Sequence, residues 1–263
     1  MGILHLAQKL MDYLGNRHPK NRLSRLAYSA LLKIRYLFIF LLDTNNIFMN
    51  QFIKTIKYHK IDLIIDIGAG EGEFALELIR AGYKGSIVSI EPLTDVYKSL
   101  TENSRIHRNW MVFPRMAIGN RNSQVSINVS QNSVSSSLLN ILPIHLNSAP
   151  DSKYIRKEKV KMYKLDTFID EFKKYKNILI KIDAQGYENY ILDGAKKLIR
   201  LRNLKGLFIE VSFAKLYKNQ KTFDYFYNEL NNKGFDIWAV EKVLIEKGTG
   251  RLLQINLLEF KSF

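Results

Sequence analysis

The stretch Asp66-Ile67-Gly68-Ala69-Gly70-Glu71-Gly72 constrains the fold most. It follows a short, β-branched apolar run, Ile61–Ile67. It precedes a segment with apolar residues at 74, 75, 78 and 79, at helical spacing. A buried parallel strand that turns through glycines into a helix is the opening of a nucleotide-type α/β unit. The glycines let the backbone turn tightly and approach a ligand that a β-carbon would block. Their spacing is G-x-G-x-G, so the third arrives one residue before the dinucleotide fingerprint requires it. Asp66 at the strand end would repel a pyrophosphate, and it suits a cationic group.

The rest of the chain repeats the alternation. Ser86–Ile90 reads as a second buried strand closed by Glu91-Pro92, and 93–104 as a helix. Trp110–Ile118 reads as a third strand. Residues 124–150 are rich in Ser and Asn and read as an insertion, with a short strand at 124–129 and another at Val160–Leu165. A helix follows at Asp166–Tyr175, capped by Asp166 or Thr167. Asn177–Asp183 is a fourth main strand with its helix at Glu188–Arg202, and Leu204–Ser212 is a fifth. After a helix at Gln220–Lys233, residues 235–246 and 251–260 alternate around Lys247–Gly250, a hairpin signal. The expected fold is α/β: a doubly wound, Rossmann-like seven-stranded sheet with a terminal antiparallel hairpin. The expected domain covers 59–263, with an insertion at about 124–160. Residues 1–58 form a helical extension before it.

Charge is uneven. The 263 residues carry 40 Lys+Arg against 25 Asp+Glu, a net +15. Residues 1–60 hold ten of the basic residues and only Asp12 and Asp43. The apolar run Tyr36–Leu42 lies in that segment, and extending it back to Leu26 takes in Lys33 and Arg35, too polar for a span. No signal peptide is evident, so a cytoplasmic protein is expected. Residues 22–42 are read as a helix packed on the domain or as a peripheral contact with an anionic inner membrane surface. Cysteine is absent, which removes disulfides, cysteine metal sites and thiol nucleophiles.

Three acidic and glycine features converge on one cofactor. The glycine loop, Asp66 before it, and Glu91 at the end of strand two fall where open α/β sheets bind ligands. Glu91 lies 19 residues after Gly72 and can accept hydrogen bonds from ribose hydroxyls. S-adenosylmethionine (SAM) offers an ammonium, a sulfonium and a ribose, with no phosphate. These residues and the hairpin resemble class I SAM-dependent methyltransferases. A second block narrows the likeness: Lys164–Phe168, Ile180-Lys181-Ile182-Asp183-Ala184-Gln185-Gly186-Tyr187-Glu188 and Leu192–Ala195. It resembles the FkbM family, with further likeness at 208–213, Gly234-Phe235 and 250–256. Gln185 stands where many members have Glu, and Arg115 where a smaller polar residue is usual.

The resemblance implies a SAM-dependent O-methyltransferase acting on a hydroxyl of a sugar, a glycan or a similar metabolite, which lipid linkage could anchor. Cofactor contacts are expected from Asp66, Gly68, Ala69, Gly70, Gly72, Glu91 and Ala117. Lys181 and Asp183 share one face of a strand by alternation, near its carboxyl end. Asp183 is the first candidate for the base, with Lys181 holding carboxylates or substrate and Glu210 completing the catalytic set. Glu188, Ser137 and His145 are candidate substrate contacts, with His145 an alternative base. Glu188 and Glu210 could also hold a divalent cation. Two rivals remain: an RNA ribose methyltransferase and a non-catalytic, membrane-docked SAM-fold module. Adenine amino-group methylation is disfavoured, because no D/N-P-P-Y/F pattern follows strand four, and specific nucleic-acid binding is not expected.

Overall fold

The computed structural model describes residues 47–262. The sequence readings for residues 1–46, including the contact at 22–42, lie outside the described residues. Helix α1 (Ile47–Tyr58) opens the description. Its Phe52, Ile53 and Ile56, one helical stripe, are buried. Phe48 and Phe52 pack on Phe208, with ring centroids 5.5 and 5.1 Å away. Phe48–Phe263 form one compact unit, so α1 packs together with the expected domain. The physical reason is this aromatic cluster, which covers one face of the sheet.

The alternating unit follows as β1 (Leu63–Ile67), α2 (Glu73–Arg80), β2 (Ser86–Ile90), α3 (Thr94–Ser104) and β3 (Trp110–Val112). Next come β4 (Ala117–Ile118), β5 (Ser123–Ser130), α4 (Pro143–Ser148) and β6 (Tyr154–Tyr163). A 3-10 turn at Leu165–Phe168 leads into α5 (Ile169–Phe172). Then come β7 (Ile178–Ile182), α6 (Glu188–Gly194), α7 (Lys196–Arg200), β8 (Leu204–Ser212), α8 (Phe223–Asn231), β9 (Phe235–Ile245) and β10 (Leu252–Lys261).

Seven strands form one sheet in the order β3-β2-β1-β7-β8-β10-β9. The strands from β3 to β8 are parallel, and β10 runs antiparallel to both β8 and β9. Every residue of β1 and β7 is buried, as continuous apolar runs covered on both faces require. The strand order reverses between β1 and β7, and the carboxyl ends of these two strands are where such a sheet binds a ligand. Register matters here. Asp66 of β1 sits directly beside Lys181 of β7, and Lys181 beside Phe208 of β8.

Four expected elements differ. Trp110–Ile118 is not one strand: β3 joins the main sheet, whereas β4 pairs with β6 in a separate three-stranded sheet, β4-β6-β5. The strand expected at Val160–Leu165 begins at Tyr154, because it pairs antiparallel along the whole of β5. The insertion is thus an ordered β5–β6 ribbon with a cavity-facing segment. The helix expected at Asp166–Tyr175 is a 3-10 turn plus one α-turn. Asp166 instead accepts the backbone N–H groups of Lys197 and Leu198, both at 2.9 Å, and so caps α7. The helix expected at Glu188–Arg202 divides at Ala195 into α6 and α7.

Candidate active site

A cavity of about 460 Å³ opens at the strand reversal. It is lined by the β1–α2 loop, the end of β2, β4, the segment 132–138 of the insertion, and the loop after β7. Its apolar lining includes Leu93, Val96, Met116, Ala117, Ile127 and Ile191; its polar lining includes Glu71, Glu73, Glu91, Asn132, Lys181, Asp183 and Gln185.

The glycine loop is shaped by its neighbours. Gly68 has φ +73°, and a β-carbon there would stand 1.8 Å from the carbonyl oxygen of Asp183. The loops after β1 and β7 therefore touch only because residue 68 has no side chain. Gly68 and Ala69 both donate their N–H groups to the carbonyl of Ile90, which ties the loop to the end of β2. Glu91 completes the tie. Its carboxyl accepts the N–H of Gly70 at 3.1 Å and that of Leu93 at 2.9 Å. Burial pushes the Glu91 carboxyl up to about 8, against the lowering effect of those two hydrogen bonds.

Of the residues expected at the site, Gly68, Ala69, Gly70, Glu91, Ala117, Ser137, Lys181 and Asp183 line the cavity. Five do not. Asp66 is fully buried, and its cation is Lys181 of the same chain, Nζ to Oδ1 3.0 Å. Cross-strand register brings the two together, so the acid read as a contact for a ligand's cation is occupied internally. Burial holds Asp66 above its ordinary range, with Lys181 opposing. Burial also works against the charge of Lys181, but Asp66 and then Asp183 outweigh it and raise its pKa. Lys181 also donates to the Gly68 carbonyl at 3.4 Å and lies 3.6 Å from Asp183 Oδ2. Gly72 lies at the start of α2, where a β-carbon would meet the Trp110 ring at 2.4 Å.

Glu188, expected as a substrate contact, does not line the cavity. It is buried at the start of α6, and its Oε1 accepts the N–H groups of Ala184 and Gly186 at 3.1 and 2.9 Å. It braces the loop after β7 from below, and burial raises it to about 7. Glu210 is buried as well, and burial, then the charges of Asp183 and Glu188, raise its pKa well above the ordinary value. Glu210 does not line the cavity, and its Oε2 accepts an N–H of Gln185 at 2.9 Å. His145 packs edge-on against the Tyr217 ring, and its Nε2 meets the Ser152 hydroxyl at 3.2 Å. Burial lowers it to about 4, and it stands inside the insertion, away from the cavity wall. Ser137 is on the wall, but its hydroxyl donates to the Gln185 carbonyl at 2.7 Å and latches the insertion to the β7 loop. Arg115 points out of the cavity: its guanidinium donates to the carbonyls of Pro92 and Lys159. Among the described residues no group of three or more His, Asp or Glu is placed to hold a metal ion.

Two residues outside the expected set matter. Gln185 donates from Nε2 to Asp183 Oδ1 and to Glu210 Oε2, both at 2.9 Å, and its Oε1 accepts the Tyr217 hydroxyl at 2.9 Å. Gln185 was visible in the sequence only as a departure from a pattern. Tyr217 gave no signal, because the loop after β8 brings it in from 32 residues away.

A glycine cradle on β1, an acid closing β2, and a sheet ending in an antiparallel pair define a class I SAM-dependent methyltransferase. The sequence matches the methyltransferase FkbM domain over residues 66–237, and the chain belongs to that family. No curated protein matches. Among solved structures, Streptococcus pneumoniae Sp1610, provisionally a tRNA (m1A22) methyltransferase, is 16% identical over 77% of this chain, with a TM-score of 0.39. The alignment spans 65% of Sp1610, just under two thirds of its length. The same protein in complex with SAM is 17% identical, covering 77% of this chain and 68% of that one, with a TM-score of 0.40. A SAM-dependent methyltransferase from Aquifex aeolicus is 12% identical, covering 80% and 88%, with a TM-score of 0.40.

The cavity fits SAM, the cofactor of this class. Its volume falls in the usual range of about 300–1,000 Å³ for small-molecule sites. Gly68 and Gly70, both at positive φ, turn the β1–α2 loop along the cavity wall without side chains. Glu91 keeps lone pairs for ribose hydroxyls, and Leu93, Met116 and Ala117 offer an apolar bed for a base. Among the described residues no helix is long and apolar enough to cross a membrane.

Proposed function

We propose that the protein transfers the methyl group of SAM to a hydroxyl of a sugar, a glycan or a similar polyol metabolite, with Asp183 as the base. The observation that supports this reading is the setting of Asp183. It follows β7 at the strand reversal, its side chain is 34% exposed, and it lines the cavity beside the glycine cradle. Two nearby buried carboxyls, Asp66 and Glu188, do not line the cavity. Asp66 is paired with Lys181, and Glu188 with two backbone N–H groups.

When bound, SAM supplies an electrophilic methyl group on a positively charged sulfur. The chain's part is to orient and to move one proton. A neutral hydroxyl is a weak nucleophile, and Asp183 accepts its proton as the oxygen closes on the methyl carbon. A positioned base of this kind contributes about 10²–10⁴-fold. Lys181 steadies the carboxylate electrostatically while remaining paired with Asp66. The Ser133, Ser136 and Asn132 side of the wall offers neutral polar groups, suited to an acceptor with several hydroxyls.

The test is incubation with methyl-labelled SAM and separated fractions of cell glycans, lipid-linked glycans and RNA. Label in an alkali-stable ether of the glycan fractions is the expected result. Label in RNA alone would replace the acceptor by a ribose. Residues 22–42 and a membrane-linked acceptor are addressed by the lipid-linked fraction.

A further inference from the structure

Gln185 carries a side chain that the methyl-transfer reading above does not use. Its backbone has φ +51°, a left-handed conformation that side chains with a β-carbon rarely adopt. The amide is fully committed. Both hydrogens on Nε2 have a carboxyl partner at 2.9 Å, Asp183 and Glu210, and Oε1 has one donor, the Tyr217 hydroxyl. Asp183 Oδ1 fixes this orientation: the alternative would aim the amide oxygen at it and leave that carboxylate oxygen short of a donor. Tyr217 is itself fixed. It is fully buried in the loop after β8, where Gln220 accepts its backbone N–H at 3.1 Å, and its hydroxyl also reaches the Ser135 carbonyl at 3.2 Å. The single hydroxyl hydrogen of Tyr217 has Gln185 Oε1 as its nearer acceptor, so hydrogen bonds run from Tyr217 through Gln185 to the two carboxyls, with the Ser135 carbonyl of the insertion beside the hydroxyl.

We propose that Gln185 is the positioning residue of the base: its amide, oriented by Tyr217, holds the Asp183 carboxyl toward the cavity while tying down its neighbour Glu210. This rests on the reading of Asp183 as base. The geometry gives the amide a task that no carboxylate could do at position 185, because a carboxylate has no hydrogens for its two neighbours. Burial, followed by the nearby charge of Asp183, raises the Glu210 carboxyl well above its ordinary range, and its Oε2 accepts the second amide hydrogen. The latch from Ser137 to the Gln185 carbonyl seats the same residue against the cavity-lining segment. The cavity-lining segment and the orientation of the base therefore meet at one residue.

The test compares the wild-type protein with Gln185→Glu and Tyr217→Phe in three measurements. Calorimetric titration with SAM should give affinities within about threefold of one another; a tenfold or greater loss in Gln185→Glu would make Gln185 a cofactor contact and overturn the proposal. Side-chain amide NMR of glutamine-labelled protein identifies the Gln185 signals by their loss in Gln185→Glu. Two hydrogen-bonded, slowly exchanging protons are expected, moving to free-amide positions in Tyr217→Phe. Free-amide signals already in the wild type would refute the clamp, whether or not an acceptor is known. With the fraction that the wild type labels, kcat should fall about 10–100-fold in Gln185→Glu and less in Tyr217→Phe, with KM for the acceptor little changed. A kcat within threefold of wild type in Gln185→Glu would overturn the proposal. If the wild type labels only RNA or nothing, the acceptor reading fails, and the amide signature still decides the clamp.

Discussion

Replacing Lys181 by Met isolates the ion pair under the cofactor loop. Lys181 Nζ lies 3.0 Å from Asp66 Oδ1, and Asp66 is fully buried with, among the described residues, only Ser89 Oγ, at 3.5 Å, as a further side-chain partner. Breaking a buried pair by removing one partner costs about 3–5 kcal/mol, because the remaining charge is uncompensated. Asp66 escapes that cost by taking up a proton. Burial already raises its pKa, and Lys181 is the largest influence opposing that rise. The folded variant therefore binds the Asp66 proton more tightly than the unfolded chain does. Stability follows the folded state's extra proton, so it is regained as pH falls and lost as pH rises, by up to about 1.4 kcal/mol per pH unit. Urea denaturation without ligand should show Lys181→Met weaker than wild type by about 3–5 kcal/mol at pH 8, with much of the gap closed at pH 5. Adding Asp66→Asn should restore most of the loss at pH 8. An equal loss at pH 5 and pH 8, or none at either, would refute the argument.

Two further outcomes follow from single residues. Gly68→Ala would set a β-carbon 1.8 Å from the Asp183 carbonyl at a positive φ, so the loops after β1 and β7 must separate. Calorimetry should show SAM affinity lost by at least about 100-fold, roughly 2.7 kcal/mol, with the far-ultraviolet spectrum unchanged. Glu259 is buried on β10, and burial raises it to about 7. The unfolded carboxyl ionises near 4.5, so its proton stabilises the fold fully below that pH, and the benefit is lost as pH rises to about 7. Glu259→Gln should thus gain roughly 1–3 kcal/mol on wild type at pH 8 in urea titrations and nothing at pH 4.

The sheet was legible because its signals are local. Ile61–Ile67, Ser86–Ile90 and Leu204–Ser212 are short apolar runs bounded by breakers, and their length and composition name them as buried strands. The place of Gly68, Gly70 and Glu91 on the cavity wall was legible from backbone geometry and strand-end position alone. What failed depends on partners distant in sequence. Whether Trp110–Ile118 is one strand or two is decided by β6, some 45 residues later, which takes Ala117 and Ile118 into another sheet. Asp166 has a helix-capping residue's chemistry, but the N–H groups it reaches belong to α7. Asp66 looked like a ligand contact because its cation, Lys181, is 115 residues away and arrives only through strand register. Glu188 and Glu210 lie near Asp183, but their burial off the cavity wall comes from packing that no spacing reveals.

The most direct test of the account is one preparation of Asp183→Asn beside wild type, measured for SAM affinity and for methyl transfer into the glycan fractions. The amide keeps the size of the carboxylate and loses its basicity. The account predicts SAM affinity within about threefold of wild type and a transfer rate lower by about 10²–10⁴-fold. Near-wild-type transfer at unchanged SAM affinity would remove Asp183 as the base and with it the proposed mechanism.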